Sequence, residues 1–87
     1  MNRDMIWDSC TSVTIDGDDY NVDYCAVGSH SYDDDPPENR YEVDQVDIQY
    51  VFDEEDNEVP YNKGLWNKIE KAVTEAIERG DEDGEYI

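Results

Sequence analysis

Residues 41–58, YEVDQVDIQYVFDEEDNE, decide how the chain is read. Val46, Ile48, Tyr50 and Phe52 recur at every second position, the period of a strand with one buried face. Asp47 and Gln49 occupy the alternate positions. Towards the start the phase slips: Asp44 shares the parity of the apolar set, while Tyr41 and Val43 do not. An unbroken strand would send Asp44 unpaired into the core, at a cost of several kcal/mol. A bulge at Asp44-Gln45 avoids that and bends the strand. Residues 53–62 then form an acidic loop holding Asp53, Glu54, Glu55, Asp56 and Glu58. One face of this stretch builds a core and the other helps to build a negative surface.

A helix supplies the other half of the core. In residues 63–79, KGLWNKIEKAVTEAIER, the residues Leu65, Trp66, Ile69, Ala72, Val73, Ala76 and Ile77 follow three- and four-residue spacings on one side. Asn62 suits the N-cap and Gly80 the first position past the C-terminus. The opposite side, with Lys68, Lys71, Glu75 and Glu78, is nearly neutral, so the helix reads as scaffold.

Upstream, residues 10–27 read as a β-hairpin. Val13 and Ile15 alternate with polar residues, as do Tyr20, Val22, Tyr24 and Ala26. A type II′ turn at Gly17-Asp18 pairs Ile15 with Tyr20, Val13 with Val22 and Thr11 with Tyr24. That register sets Cys10 opposite Cys25, a pair with Cα atoms about 5.5 Å apart, where a disulfide is conceivable. No apolar leader follows Met1-Asn2-Arg3-Asp4, so two reduced thiols are the expectation. Residues 1–9 either lead into the first strand or pack over a sheet edge. Residues 28–40, GSHSYDDDPPENR, read as a loop: an acidic protrusion stiffened by Pro36-Pro37, or a solvated linker, with His30 exposed on it. The tail 81–87 follows a helix C-terminus, where negative charge is disfavoured, and splays out unless Tyr86 and Ile87 pack back.

The expected fold is therefore α+β, with order β-β-β-α. A three-stranded antiparallel sheet carries one C-terminal α-helix packed on its apolar face. Residues 1–80 form a single domain, and 81–87 an acidic tail. The uncovered sheet face would show Thr14, Asn21, Asp23, Asp47 and Gln49, with carboxylates in rows about 6.6–6.8 Å apart along a strand.

Charge bounds the function. The chain has 87 residues, 25 acids against 6 bases, and a net charge of −19. Residues 1–62 carry 18 acids and 2 bases, residues 63–79 a net +1, and residues 80–87 a net −4. Duplex DNA carries one charge per roughly 1.7 Å, so nineteen charges match about 32 Å of duplex. A compact chain of this length has a radius of gyration of about 12 Å and a diameter on the order of 30 Å. On that estimate the protein is as charge-dense as DNA. Such density steers the protein onto basic partners and argues against direct contact with nucleic acid or an anionic membrane. No apolar run approaches the roughly 18–20 residues of a membrane span, and a soluble cytoplasmic protein is the expectation.

No constellation specifies catalysis, and a chain that buries only roughly 60–65% of its unfolded surface has little room for a pocket. No enzyme activity, cofactor or metal is expected. Asp16-Gly17-Asp18-Asp19-Tyr20-Asn21 resembles a calcium loop, but Tyr20 stands where a ligand is needed and no glycine follows. One His and two Cys do not make a zinc site.

The acid clusters Asp33-Asp34-Asp35-Pro36-Pro37-Glu38 and Asp53-Glu54-Glu55-Asp56, with the balance of 25 acids to 6 bases, carry a resemblance. The chain is similar to the small phage-encoded acidic proteins that mimic DNA, of the anti-restriction and anti-CRISPR type. The resemblance is one of composition and carries no motif. It implies an inhibitor of host defence, working in the host cytoplasm, that fills the basic nucleic-acid channel of a nuclease, a CRISPR or restriction component, or another DNA-processing protein. The residues expected to meet that partner are Asp33, Asp34, Asp35, Glu38, Asp44, Asp47, Asp53, Glu54, Glu55, Asp56 and Glu58. Tyr32 and Tyr61 offer rings in place of bases. Two other readings stay open: adaptation to high salt, and an acidic structural or adaptor protein of a virion or assembly. The adaptor would act through a protein–protein or homodimer interface, and either a monomer or a homodimer is compatible with the sequence. In the mimic reading, the acids of the bend and of both clusters lie on one continuous surface.

Overall fold

A computed structural model describes residues 2–34 and 37–87, with side chains placed over 3–32 and 39–87. Three long strands dominate: β1 (Asn2–Ile15), β2 (Asp18–Asp34) and β3 (Pro37–Phe52). Helix α1 (Lys63–Glu78) and the two-residue strand β4 (Glu85–Tyr86) complete the chain. The sheet is antiparallel, in the order β3-β2-β1-β4. The fold is α+β as expected, but with four strands where the sequence indicated three.

The β1–β2 turn is Asp16-Gly17, not Gly17-Asp18. Both residues have positive φ, 52° and 88°. That is the type I′ pattern, whose twist matches the flanking strands and which Asp-Gly satisfies well. The register therefore shifts by two from the expected one: Ile15 pairs with Asp18, Val13 with Tyr20 and Thr11 with Val22. A shift of two keeps every side chain on its expected face. It does separate the cysteines: Cys10 lies opposite Asp23 and Cys25 opposite Asp8, and both are free.

The expected loop over 28–40 is mostly strand. β1 begins at Asn2, so it gives β2 ladder partners out to Ser31, and β3 pairs with β2 out to Asp34↔Pro37. Asp35 and Pro36 lie outside the described residues. Gly28 permits the crossing with β3, because a Cβ there would run into the Glu42 backbone carbonyl.

The bulge expected at Asp44-Gln45 is present: Val27 pairs with Gln45 and Gly28 with Val43, leaving Asp44 unpaired and exposed. A second bulge was not foreseen. Asp23 pairs with Tyr50 and Tyr24 with Ile48, so Gln49 is extra. It returns the strand to its first phase, and Tyr50 and Phe52 fall on the face opposite Val46 and Ile48. Val51 takes the core position with no exposed surface, while Tyr50 is 53% exposed. The expected common face for Val46, Ile48, Tyr50 and Phe52 is thus corrected after Ile48.

Met5, Trp7, Val13, Ile15, Val22, Tyr24, Ala26 and Val51 of the sheet form one buried cluster with Ile69, Val73 and Ile77 of the helix. Asn62 caps α1, its Oδ1 accepting from the Leu65 amide at 3.0 Å. The C-terminus closes at Gly80 (φ 82°), with Gly80 N–H donating to the Ile77 carbonyl and Asp81 N–H to that of Ala76. These are the two bonds of a Schellman motif, and the second starts the tail back towards the sheet.

The tail packs back instead of splaying. Glu85 and Tyr86 pair with Ile6 and Met5, and the Ile87 amide donates to the Asp4 carbonyl. Aromatic contacts offset its unfavourable charge. Gly84 sits so close to the Trp7 indole that a Cβ would lie 2.6 Å from Nε1. Arg3 stacks over the Tyr86 ring, 4.2 Å from its centroid. His30, expected to be exposed on a loop, is half-buried on β2 and stacked on Tyr41 at 4.6 Å. Its ring nitrogens lie 2.7 Å from the Tyr86 hydroxyl and 2.9 Å from Asn39 Oδ1.

The result is elongated, 45 × 24 × 20 Å, with a radius of gyration of 14.0 Å. Nineteen charges over 45 Å make one per about 2.4 Å, against one per roughly 1.7 Å in duplex DNA. The charge density is thus about 70% of the duplex value, below the estimate from a compact chain.

Candidate functional site

Side chains of the parity opposite to the core cluster make the second face of the sheet. On β1 these are Asp4, Ile6, Asp8, Cys10, Ser12 and Thr14; on β2 they include Asp19, Asn21, Asp23, Cys25, Val27 and Ser29. On β3 the two bulges leave Glu42, Gln45, Asp47, Tyr50 and Phe52 in register with them. Cross-strand rows therefore read Asp4–Ser29–Glu42, Asp8–Cys25–Asp47 and Cys10–Asp23–Tyr50. Within a row the outer residues are two strands apart, about 9.5 Å.

Few bases oppose these acids. Lys63, Lys68 and Lys71 are on α1, Arg79 follows it, and Arg3 lies on the other face against Tyr86. Lys68 Nζ bonds Asp16 at 2.7 Å and Arg79 bonds Asp81 at 2.9 Å. Among the bases of the described residues, only Arg40, paired across from Ser31, shares the acidic face.

Local polar bonds fix the near end of this face. Thr14 Oγ1 donates to Asp19 at 2.6 Å and Ser12 Oγ to Asn21 at 2.8 Å. The Cys10 thiol is held above its ordinary range, first by its hydrogen bond to Asp23, then by partial burial and the Asp23 charge. A thiol kept protonated is a poor nucleophile and a poor metal ligand.

The sequence-expected residues divide into three places. Asp47 lies on the acidic face and Asp44 at the bulge beside it. Glu54, Glu55, Asp56 and Glu58 are exposed at the near end, in the turn after β3. Asp53 belongs to that turn, but its Oδ1 accepts from the Glu55 and Asn57 amides at 2.9 and 3.0 Å. Those bonds hold the turn in shape, and Asp56 takes a positive φ of 63° within it. With Asp18, Asp19 and Tyr20, residues 53–55 line an open notch of about 280 Å³.

The third place is the far end, where β2 and β3 pair last. The side chains of Asp33, Asp34, Asp35 and Glu38 lie outside the described residues. The backbone positions of Asp33, Asp34 and Glu38 still decide one question. β3 runs sixteen residues from Pro37 to Phe52 and, even shortened by its two bulges, spans most of the 45 Å length of the molecule. The two acid clusters therefore sit at opposite ends of the long axis. The acidic face runs between them, with Asp4, Asp8, Asp23 and Glu42 besides the expected Asp44 and Asp47.

Asp4, Asp8, Asp19 and Glu42 were not among the expected site residues, yet they share this face. The alternation that exposes Ser12 and Thr14 extends back to Asp8 and Asp4, and that was the available signal. Of the two candidate aromatic contacts, Tyr61 is exposed and packs edge-on against Trp66, ring centroids 5.4 Å apart. Tyr32, also exposed, is on β2 near the far end.

Among the described residues no group of three or more His, Cys, Asp or Glu is placed to hold a metal ion. No helix is long and apolar enough to cross a membrane. Comparison with protein families, with curated proteins and with solved structures finds no match.

Proposed function

We propose that the protein is a non-enzymatic inhibitor that presents its acidic face to the basic nucleic-acid channel of a host defence or DNA-processing protein. The observation that carries this reading is the segregation of charge. With α1 taken to cover one side of the sheet, the other side is left free. Carboxylates recur there along the 45 Å axis, with Arg40 the only base among the described residues. Lys and Arg of a partner channel would pair with them through charge-assisted hydrogen bonds. Asp44 and Asp47 contribute from the middle of the face, Glu54, Glu55, Asp56 and Glu58 from the near end. Asp33, Asp34, Asp35 and Glu38 are proposed for the far end. Asp53, occupied by its own turn, serves by positioning the others.

The test is capture of partners from host lysate on the immobilised protein, with and without added duplex DNA. A basic nucleic-acid enzyme released by DNA is the expected result. Its affinity should fall steeply with salt, as phosphate contacts do. An affinity that barely changes between 50 and about 200 mM salt would rule out charge mimicry.

A further inference from the structure

The two outer strands of the long three-stranded body are not protected alike. β3 is interrupted by bulges at Asp44 and Gln49, and bulges are one of the devices that keep an edge from templating another strand. β1 pairs with β2 without a break from Asn2 to Ile15. Residues 9–15, SCTSVTI, contain no charge, no proline and no glycine, and Thr, Val and Ile favour strands.

The direction of the backbone groups follows from the turn. Ile15 and Asp18 close a two-residue turn and are a hydrogen-bonded pair, so odd residues of β1 bond to β2 and even residues point outward. The Ile87 amide donating to Asp4 O, 3.0 Å, agrees with this. β4 takes up this edge only at Met5 and Ile6. Among the described residues no strand is registered on the outward groups of Asp8, Cys10, Ser12 and Thr14.

We infer that this free half of the β1 edge is a strand-addition site, and that its occupant is an extended basic segment of the partner protein. The chain's own tail already shows the edge accepting a strand. An added strand continuing from β4 would set alternate side chains beside Cys10 and Ser12, next to Asp8, Asp19 and Asp23. The intervening side chains would lie beside Thr11 and Val13. Alternating basic and apolar residues fit those two rows. A second copy fits worse, since it brings nineteen like charges and no base between Asp8 and Ile15 of its own edge to offset them. This deepens the proposed function by naming how a basic partner is gripped, and rests on that reading for the partner's charge alone.

The test uses a blocked eight-residue peptide of alternating Lys and Val, read by amide hydrogen exchange across the intact chain. Slowing of about tenfold or more at Cys10, Ser12 and Thr14 is expected, and none with a peptide of equal charge carrying a central proline. Ser12→Pro removes an outward donor and no bond to β2, so it should abolish the protection, whereas Ser12→Ala should retain it. Absence of binding at millimolar peptide, or binding without protection of β1, would overturn the proposal. So would protection of the same amides that rises with protein concentration alone, which assigns the edge to a second copy. A captured partner that is released by DNA but binds Ser12→Pro equally well would sink this inference and leave the proposed function standing.

Discussion

Adjacent residues of one strand, Val51 and Tyr50, show how differently the two faces of the sheet are built. Val51 is fully buried, opposite Val22 and in one cluster with the helix residues Ile69, Val73 and Ile77. Tyr50 lies opposite Asp23, half-exposed and stacked near Phe52 with ring centroids 6.4 Å apart. The core face is specified by shape, and among the described residues no charged residue is fully buried there. The other face carries exposed polar and acidic side chains, some of them bonded to near neighbours, as Thr14 is to Asp19 and Ser12 to Asn21. The first holds the fold together, and the second is available for binding.

Putting one charge on each face breaks the symmetry most sharply. Val51→Asp buries an unpaired carboxylate and should destabilise the fold by about 4 kcal/mol or more, enough to unfold much of a domain this small. Tyr50→Asp, one residue away, should change stability by less than about 1 kcal/mol. Urea titration of both variants checks this. Equal effects would mean that the Gln49 bulge is wrongly placed.

The next largest effect is expected at Gly28, where β2 meets the bulged strand. Gly28→Ala forces its methyl group against the Glu42 carbonyl and should cost about 1–3 kcal/mol through backbone displacement. Thermal unfolding measures it. Gly17→Ala is a useful contrast, because nothing lies within 4 Å of a Cβ there and only the positive φ opposes it.

How far the sequence discloses this molecule differs between the same two faces. The core face was legible through its period. Alternation at Val13, Ile15, Val22, Tyr24 and Ala26, and helical spacing at Ile69, Val73 and Ile77, named buried residues directly. Asp44 also disclosed its bulge, because an unpaired acid at a core position is too costly to keep. Gln49 gave no such signal: a neutral polar residue followed by Tyr50 and Phe52 continues the pattern plausibly on either face. The hairpin beyond Gly28 was hidden because Gly, an Asp triplet and Pro-Pro are also what a loop looks like. On the β1 side, ladder partners for residues 28–31 come from residues 2–5, a long-range pairing that no local window contains. The acidic surface was legible in part: alternation assigned Asp23 and Asp47 to the uncovered face, but not Asp4, Asp8 or Glu42. Only the register across three strands brings Asp8 and Asp47 into one row.

If the open face is a binding surface, its acids work against folding. Replacing Asp4, Asp8, Asp23, Glu42 and Asp47 with Asn or Gln should raise stability by up to about 1 kcal/mol in all, since these acids lie on diagonals or two strands apart and repel one another through the surface. The gain should shrink at 0.15 M ionic strength, where the screening length is about 8 Å. The same variant should lose affinity for a basic partner by orders of magnitude. Denaturation at two salt concentrations, alongside the lysate capture, separates the two effects. A variant that loses both stability and binding would mean that these acids are structural.

The smallest expected effect tests the core face from its polar exception. Three buried side-chain atoms lack a hydrogen-bond partner among the described residues: Trp7 Nε1, Tyr24 Oη and Glu82 Oε1. Burial pushes the Tyr24 hydroxyl well above its ordinary range, and the nearby Glu82 charge pushes it further, although no well-formed hydrogen bond joins them. The folded state therefore keeps this proton where the unfolded chain releases it. That contribution to stability is fully present below the ordinary tyrosine value of about 10 and is lost as pH rises above it. Tyr24→Phe removes an unpartnered buried hydroxyl without changing shape, so at pH 7 stability should stay within about 1 kcal/mol or rise slightly. Above about pH 10 the variant should lose less stability than the parent chain. Urea midpoints at pH 7, 9 and 10.5 would show the curves diverging only at the alkaline end. Parallel curves would mean that Tyr24 ionises as freely in the folded protein as in the unfolded chain, and that its hydroxyl reaches solvent beneath the tail.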